Sequence, residues 1–257
     1  MIVIKTIGLT KEFVHSKGFK RQRCIAVNNF NLEVEAKEIF AFLGPNGAGK
    51  TTTINMLAGV ISPTKGGIEL FGQPFNYSNI QIKKKIGYLP ESPQLPSYYH
   101  VSELLGFYSQ IFDIPRRFQR EKIDAVLEDV GILPQKNSLI ENLSMGQRRC
   151  LGLAIALIND PSLLLLDEPT VYLDPIISEK IRTLLLRLKN QGSTIFISSH
   201  ILSEVEKISD RFAIIHKGNL VQEGTVQHLA DKGGLEELFL RITKKAKIPL
   251  IAFGIKI

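Results

Sequence analysis

The sequence predicts an α/β protein, built on a mainly parallel sheet with a helical subdomain inserted into it, and three observations carry that expectation. Apolar, β-branched runs from Glu38 to Leu43, Ser162 to Leu166 and Ser193 to Ser198 read as buried strands. Residues at helical spacing follow each run, and strand then helix, repeated, implies parallel pairing. From Pro90 to Pro161 the alternation stops and only helical patterns remain.

Each element has a local reason. The strand IFAFL runs through a glycine-rich loop into the helix-forming stretch TTTINMLAG. Within the insertion, Val101 to Phe112 and Gln119 to Val130 are helical, and Gly131 closes the second. Asp174-Pro175 opens the last crossover helix, a side-chain cap followed by proline at the first helical position, and the helix stops before Gly192. Phe212 to Ile215 and Leu220 to Gln222 flank Lys217-Gly218-Asn219, which reads as a hairpin. One domain over 1–243, with the helical insertion at about 90–161, leaves 244–257 as a short basic and apolar tail.

Composition excludes more than it assigns. With 44% hydrophobic residues in 257, the chain has enough apolar side chains for a sizeable core, which argues against a disordered or fibrous protein. Cys24 and Cys150 are far apart and outside any C-x-x-C pair, so neither a disulfide framework nor a zinc site is expected, in keeping with a reducing cytoplasm. No apolar stretch approaches the eighteen or so residues of a spanning helix, and MIVIKT lacks the features of an export signal. The formal charge of +7 concentrates at Lys17 to Arg23, Pro115 to Lys122 and Lys244 to Lys247. Solvated loops explain these clusters as readily as an anionic partner does.

The chemistry begins at GPNGAGKT, where Gly44, Pro45, Asn46, Gly47, Ala48, Gly49, Lys50 and Thr51 match G-x-x-x-x-G-K-[ST], with Thr52 following. Glycines let backbone N–H groups turn toward a polyphosphate, and the helix N-terminus adds a favourable dipole. Lys50 reaches the β- and γ-phosphates in such a loop, and the Thr51 hydroxyl suits Mg²⁺, a hard cation that takes oxygen ligands. By chance the bare pattern arises about once in a hundred chains of this length. The expected fold is therefore that of a P-loop NTPase, and by itself the loop indicates a nucleotide-using protein that binds phosphate with Mg²⁺.

SLLLLDEP ends a hydrophobic strand in two adjacent carboxylates. Neighbouring side chains on a strand face opposite ways, so Asp167 and Glu168 are expected to divide the work while strand geometry persists. Asp167 is assigned to the magnesium shell and Glu168 to the attacking water. His200 ends a further strand, IFISSH, and is either a γ-phosphate sensor or a structural histidine. Lys50, Glu168 and His200 form the expected catalytic set.

At Leu143 to Gln147 the chain reads LSMGQ, followed by RRCLGLAIALINDP and the acid pair. This resembles the ATP-binding subunit of ATP-binding-cassette (ABC) transporters, whose signature is LSGGQ. The resemblance runs from LTKEF to LEELFLRIT, Leu235 to Thr243, and the end of the chain is similar to the ABC-2 or drug-export type. It implies an N-terminal antiparallel β portion beside the parallel core, ATP hydrolysis coupled to transport, and a head-to-tail dimer. In that dimer Ser144, Met145, Gly146 and Gln147 complete the partner's ATP site, and Asp174 lies in the loop at the dimer seam. Phe13 matches the adenine-stacking aromatic, with Phe19 as the alternative.

The implied partners are a second ATPase subunit, in a homo- or heterodimer, and a separate integral-membrane permease, with no nucleic acid. The implied location is cytoplasmic, on the inner face of the cell membrane. A non-transport ABC-type ATPase acting on nucleic acid or the ribosome is the alternative, although the chain lacks the long coiled coil or second cassette of such relatives. Three positions depart from the family pattern. Glu91, with Gln94 nearby, stands where the family's metal-contacting glutamine is usual, Met145 replaces the first signature glycine, and Tyr172 occupies a common glycine position.

Overall fold

The computed structural model describes residues 1–17, 20–232 and 234–245, so the Phe19 alternative and most of the 244–257 tail lie outside the described residues. In chain order the elements are β1 (Ile2–Lys17), β2 (Lys20–Glu35), β3 (Ile39–Leu43), α1 (Lys50–Leu57), β4 (Lys65–Leu70), β5 (Gln73–Pro74) and α2 (Ile80–Lys83). Then come β6 (Ile86–Leu89), α3 (Val101–Ile111), α4 (Arg116–Asp129), α5 (Met145–Leu157), β7 (Leu163–Asp167) and α6 (Pro175–Asn190). The chain continues through β8 (Thr194–Ser199), α7 (Leu202–Glu206), β9 (Arg211–His216), β10 (Asn219–Thr225) and α8 (Gly234–Lys245).

Two sheets result. One has the order β10-β9-β3-β8-β7-β6, parallel throughout except for the β9–β10 hairpin, and the other is an antiparallel sheet ordered β2-β1-β4-β5. The leucine run of β7 shows why the first sheet is buried on both faces. Leu163 and Leu165 pack with Phe40, Phe42 and Phe196 under the antiparallel sheet, while Leu164 and Leu166 pack against the helices of the 90–161 segment and α6. The Phe40 and Phe196 rings stack with centroids 5.7 Å apart, and burying a side chain of this size contributes roughly 1.5–3 kcal/mol.

Strand register positions the site. Leu43 pairs with Ser199 and Asp167 with Ser198, so the C-terminal ends of β3, β7 and β8 finish side by side. Ligands of open parallel sheets bind at this edge, where loops leave the strands.

Several boundaries differ from expectation for local reasons. α4 starts at Arg116 rather than Gln119, directly after Pro115, whose extended backbone forms its N-cap. The β9–β10 turn is two residues, not three, because Lys217 and Gly218 both take positive φ (46° and 77°), the pattern of a tight type I′ turn. Asn219 then belongs to β10 and pairs with His216. At the end of the described chain, Leu235 and Phe239 of α8 pack with Leu202 and Val205 of α7, and Glu206 accepts a hydrogen bond from Leu235 N at 3.1 Å. Among the described residues no helix is long and apolar enough to cross a membrane.

Candidate functional site

A cleft of about 330 Å³ opens at the strand ends, lined by Ala26, Pro45, Asn46, Gly47, Gly49, Lys50, Thr51, Thr52, Glu91 and Glu168. The loop that forms its floor is held from two sides. A Cβ on Gly44 would lie 2.4 Å from Ile215 O and one on Gly49 2.3 Å from Ala26 O, so both positions admit only hydrogen. Ala48 O also accepts a hydrogen bond from Gly218 N of the β9–β10 turn at 2.8 Å. Ala26 presses so close because it is the extra residue of a β-bulge: Lys11 pairs with Val27 and Glu12 with Ile25, leaving Ala26 unpaired between them. Bulges of this kind re-aim backbone next to active sites.

Inside the cleft the charged side chains satisfy one another. Lys50 Nζ donates to Gly44 O at 2.7 Å and lies 3.4 Å from Glu168 Oε1, while Glu168 Oε2 lies 2.9 Å from His200 Nδ1. Lys50 and Glu168 are buried, and leaving either unpaired would be costly. Burial, the largest influence, pushes the Glu168 carboxyl up, but His200 and Lys50 together draw it below its ordinary value. Pairing with Glu168 holds His200 above its ordinary pKa of 6.5, against the opposing pull of burial.

Asp167 and Glu168 do divide, though not through strand alternation. Asp167 ends β7, whereas Glu168 takes φ 54°, so the strand geometry breaks between them. Asp167 Oδ1 accepts from the Ser198 hydroxyl, and its fully buried Oδ2 has no hydrogen-bond partner. An unsatisfied buried carboxylate oxygen at the end of β7, together with the Thr51 hydroxyl in the cleft lining, suits a hard cation, so these donors fit Mg²⁺.

Glu91 lines the cleft, whereas Gln94 lies in a separate apolar cleft with Pro90, Pro93, Leu95 and Tyr108. Phe13 lies outside the cleft lining, on the adjoining hairpin opposite Cys24, with Lys11 Nζ 5.3 Å from its ring centroid.

Ser144, Met145, Gly146, Gln147 and Asp174 do not line the cleft either. They gather at the start of α5 and α6. Ser144 Oγ accepts from Gln147 N at 3.2 Å and Gln147 Oε1 from Ser144 N at 2.9 Å, a capping box that leaves the serine proton free to donate. Met145 is the first helical residue, without positive φ, and is 63% exposed. A Cβ on Gly146 would come within 2.9 Å of Tyr172 O, which brings this helix start against the loop after the acid pair. Tyr172 itself takes φ 69° and is 65% exposed, a left-handed backbone in which glycine is the unstrained residue. Asp174 Oδ1 accepts from Ile176 N and Ile177 N, both at 2.9 Å, capping α6.

Sequence reasoning missed two residues here, Ala26 and Arg149. Ala26 carries no chemical signal. Arg149 is a buried charge inside α5, immediately before that helix's apolar stretch 150–157, and a charge bordering that stretch was the available clue.

Comparisons with known proteins agree with the geometry. A family model described as ABC transporter matches residues 27–171. The bacitracin transport ATP-binding protein of Bacillus licheniformis is 42% identical over 228 residues, spanning 88% of this chain and 71% of that protein. An uncharacterized ABC transporter ATP-binding protein of Nostoc sp. is also 42% identical, over 230 residues, 88% of this chain and 68% of its own. Among solved structures, a dimeric ATP-binding cassette in a post-hydrolysis state bound to ADP and Pi matches with a TM-score of 0.78 at 25% identity, over 86% of this chain and 98% of that one.

Proposed function

We propose, since the chain belongs to the ABC transporter family and is an ATP-binding, ATP-hydrolysing subunit, that it works as one half of a head-to-tail dimer that drives a separate membrane permease in export. The observation that carries this reading is the line Lys50–Glu168–His200, with Lys50 and Glu168 buried and Glu168 adjoining Asp167, whose Oδ2 is unsatisfied.

In this reading the phosphates of ATP draw Lys50 off Gly44 O, backbone N–H groups of the Asn46–Thr52 stretch cradle them, and Phe13 stacks on adenine. Thr51, Asp167 and Glu91 would hold Mg²⁺, which would supply neutralisation of phosphate charge. Glu168 orients and polarises the attacking water, and His200 senses the γ-phosphate from the other side of Glu168. Lys50 lowers the basicity of Glu168 while the two are paired, so its departure toward phosphate strengthens the base. Binding thereby arms hydrolysis.

Ser144, Gly146 and Gln147 act on the partner's ATP, since the free serine proton and the first-turn N–H groups of α5 form a second anion cradle. Met145 and Asp174 flank that contact. Residues 1–243 then act as one ATPase domain, with the insertion at about 90–161 as the arm that presents α5. The relative named for bacitracin transport supports a permease partner, and in this reading the subunit docks on such a permease at the inner face of the membrane.

Glu168→Gln tests the assignment. Steady-state hydrolysis is expected to fall by at least about a hundredfold, the size of a general-base effect, with ATP binding retained and an ATP-dependent dimer visible by light scattering. Unchanged turnover would overturn it.

A further inference from the structure

Arg149 is only 3% exposed and lies on α5, roughly one and a half turns beyond Ser144. Its guanidinium donates to four backbone carbonyls from two separate segments. One terminal nitrogen reaches Pro90 O at 2.5 Å and Glu91 O at 2.6 Å, while the other reaches Asp167 O and, at 2.8 Å, Glu168 O. Its Nε has no hydrogen-bond partner. A buried arginine is costly unless well bonded, so its use on carbonyls rather than carboxylates calls for a reason.

The reason lies in what the two segments carry. Glu91 and Glu168 both line the phosphate cleft, and Asp167 sits behind it. A planar guanidinium fixes the angle between its donors, which a flexible ammonium cannot do. Because the bonds go to main-chain oxygens, the carboxylates stay free for the cleft while the distance between their backbones is set. The same helix begins with the exposed Ser144–Gln147 capping box. An α-helix moves as a rigid rod over so short a span, so a pull on Ser144 is delivered to Arg149.

We propose that Arg149 is a positioning residue which transmits engagement of Ser144 to Gln147 with the partner subunit's ATP to Glu91, Asp167 and Glu168 of its own cleft. The inference rests on the dimer reading. It makes the two clefts of a dimer interdependent: a cleft reaches its hydrolytic geometry only when the signature of its own chain is engaged. Hydrolysis then depends on ATP concentration cooperatively, and the cooperativity runs through one side chain.

Arg149→Lys and Arg149→Met in the full chain, compared with wild type over an ATP titration, test it. Turnover, the Hill coefficient, affinity for a non-hydrolysable ATP analogue and thermal melting are the readouts. The lysine variant, which keeps the charge but can bridge the carbonyls only in part, is expected to melt cooperatively and bind the analogue as wild type does. Its turnover should fall at least about tenfold, given that a 1 Å misplacement costs about a hundredfold, and its ATP dependence should become hyperbolic. The methionine variant is expected to show the larger loss; should it not fold, the lysine variant decides. Full turnover and an unchanged Hill coefficient in Arg149→Lys overturn the inference and leave the dimer reading standing. A wild type that hydrolyses ATP hyperbolically and forms no ATP-dependent dimer removes both.

Discussion

In the proposed reading the cleft at the strand ends and the start of α5 both serve to bind phosphate, yet they are built in opposite ways. In the cleft Lys50 and Glu168 are withdrawn from water, and with the half-buried His200 behind them they form a chain of contacts between 2.9 and 3.4 Å. At the start of α5 Ser144 and Met145 are exposed, and the polar atoms of Ser144 and Gln147 finish their own helix. The difference follows from solvation. A buried charge needs a partner at all times or costs several kcal/mol, so the cleft carries its own counter-ions and must exchange them for ligand. Water satisfies an exposed helix start at little cost, so that surface can wait, unbraced, for a second molecule.

Lys50→Ala presses hardest on this contrast. Losing charge-assisted hydrogen bonds, each about 1.5–3 kcal/mol, is expected to weaken ATP binding at least tenfold by calorimetry, and it also leaves Glu168 short of a counter-charge. An undiminished affinity would mean the cleft does not depend on its internal cation. On the exposed side, Tyr172→Gly relieves a left-handed backbone that costs an L-residue about 1–2 kcal/mol, and the exposed ring has little packing to lose. A gain of about 1 kcal/mol in urea unfolding is expected, after allowing for the added freedom of glycine in the unfolded chain. A net loss would show that the ring is anchored rather than idle.

The smallest effect is one of pH. Pairing raises His200 and lowers Glu168, so the His200 contribution is complete below pH 6.5 and fades as pH climbs through the raised value, while that of Glu168 is complete above 4.5 and fades as pH falls through the lowered one. Wild type should therefore exceed His200→Gln in melting temperature by most between pH 4.5 and 6.5, and by less at pH 8. A gap that widens toward pH 8 would sever the link between the pair and the cleft's self-neutralisation.

The same contrast governs how much could be read beforehand. Asp167, Glu168 and His200 sit at strand ends and Lys50 and Thr51 open the helix after β3, all in motifs that follow apolar runs, so topology brought them together. The capping box at Ser144 is equally local. Harder to see was anything that depends on one segment meeting another. β1 and β2 are 16 residues each, but bulges and register shifts erase the period of two that would have marked them. Glu168 leaves the strand through φ 54°, which no residue pattern announced. Arg148 and Arg149 look alike in the sequence, yet the first hydrogen-bonds Leu143 O and Glu141 O near the surface and the second is buried against two distant loops.

α8 offers an observer a handle on all of this. α7 starts two residues after His200, and α8 rides on it through Leu235 and Phe239, with Glu206 gripping its first turn. A fluorophore on Glu237, which faces solvent, would therefore report remotely on the histidine without entering the reaction centre.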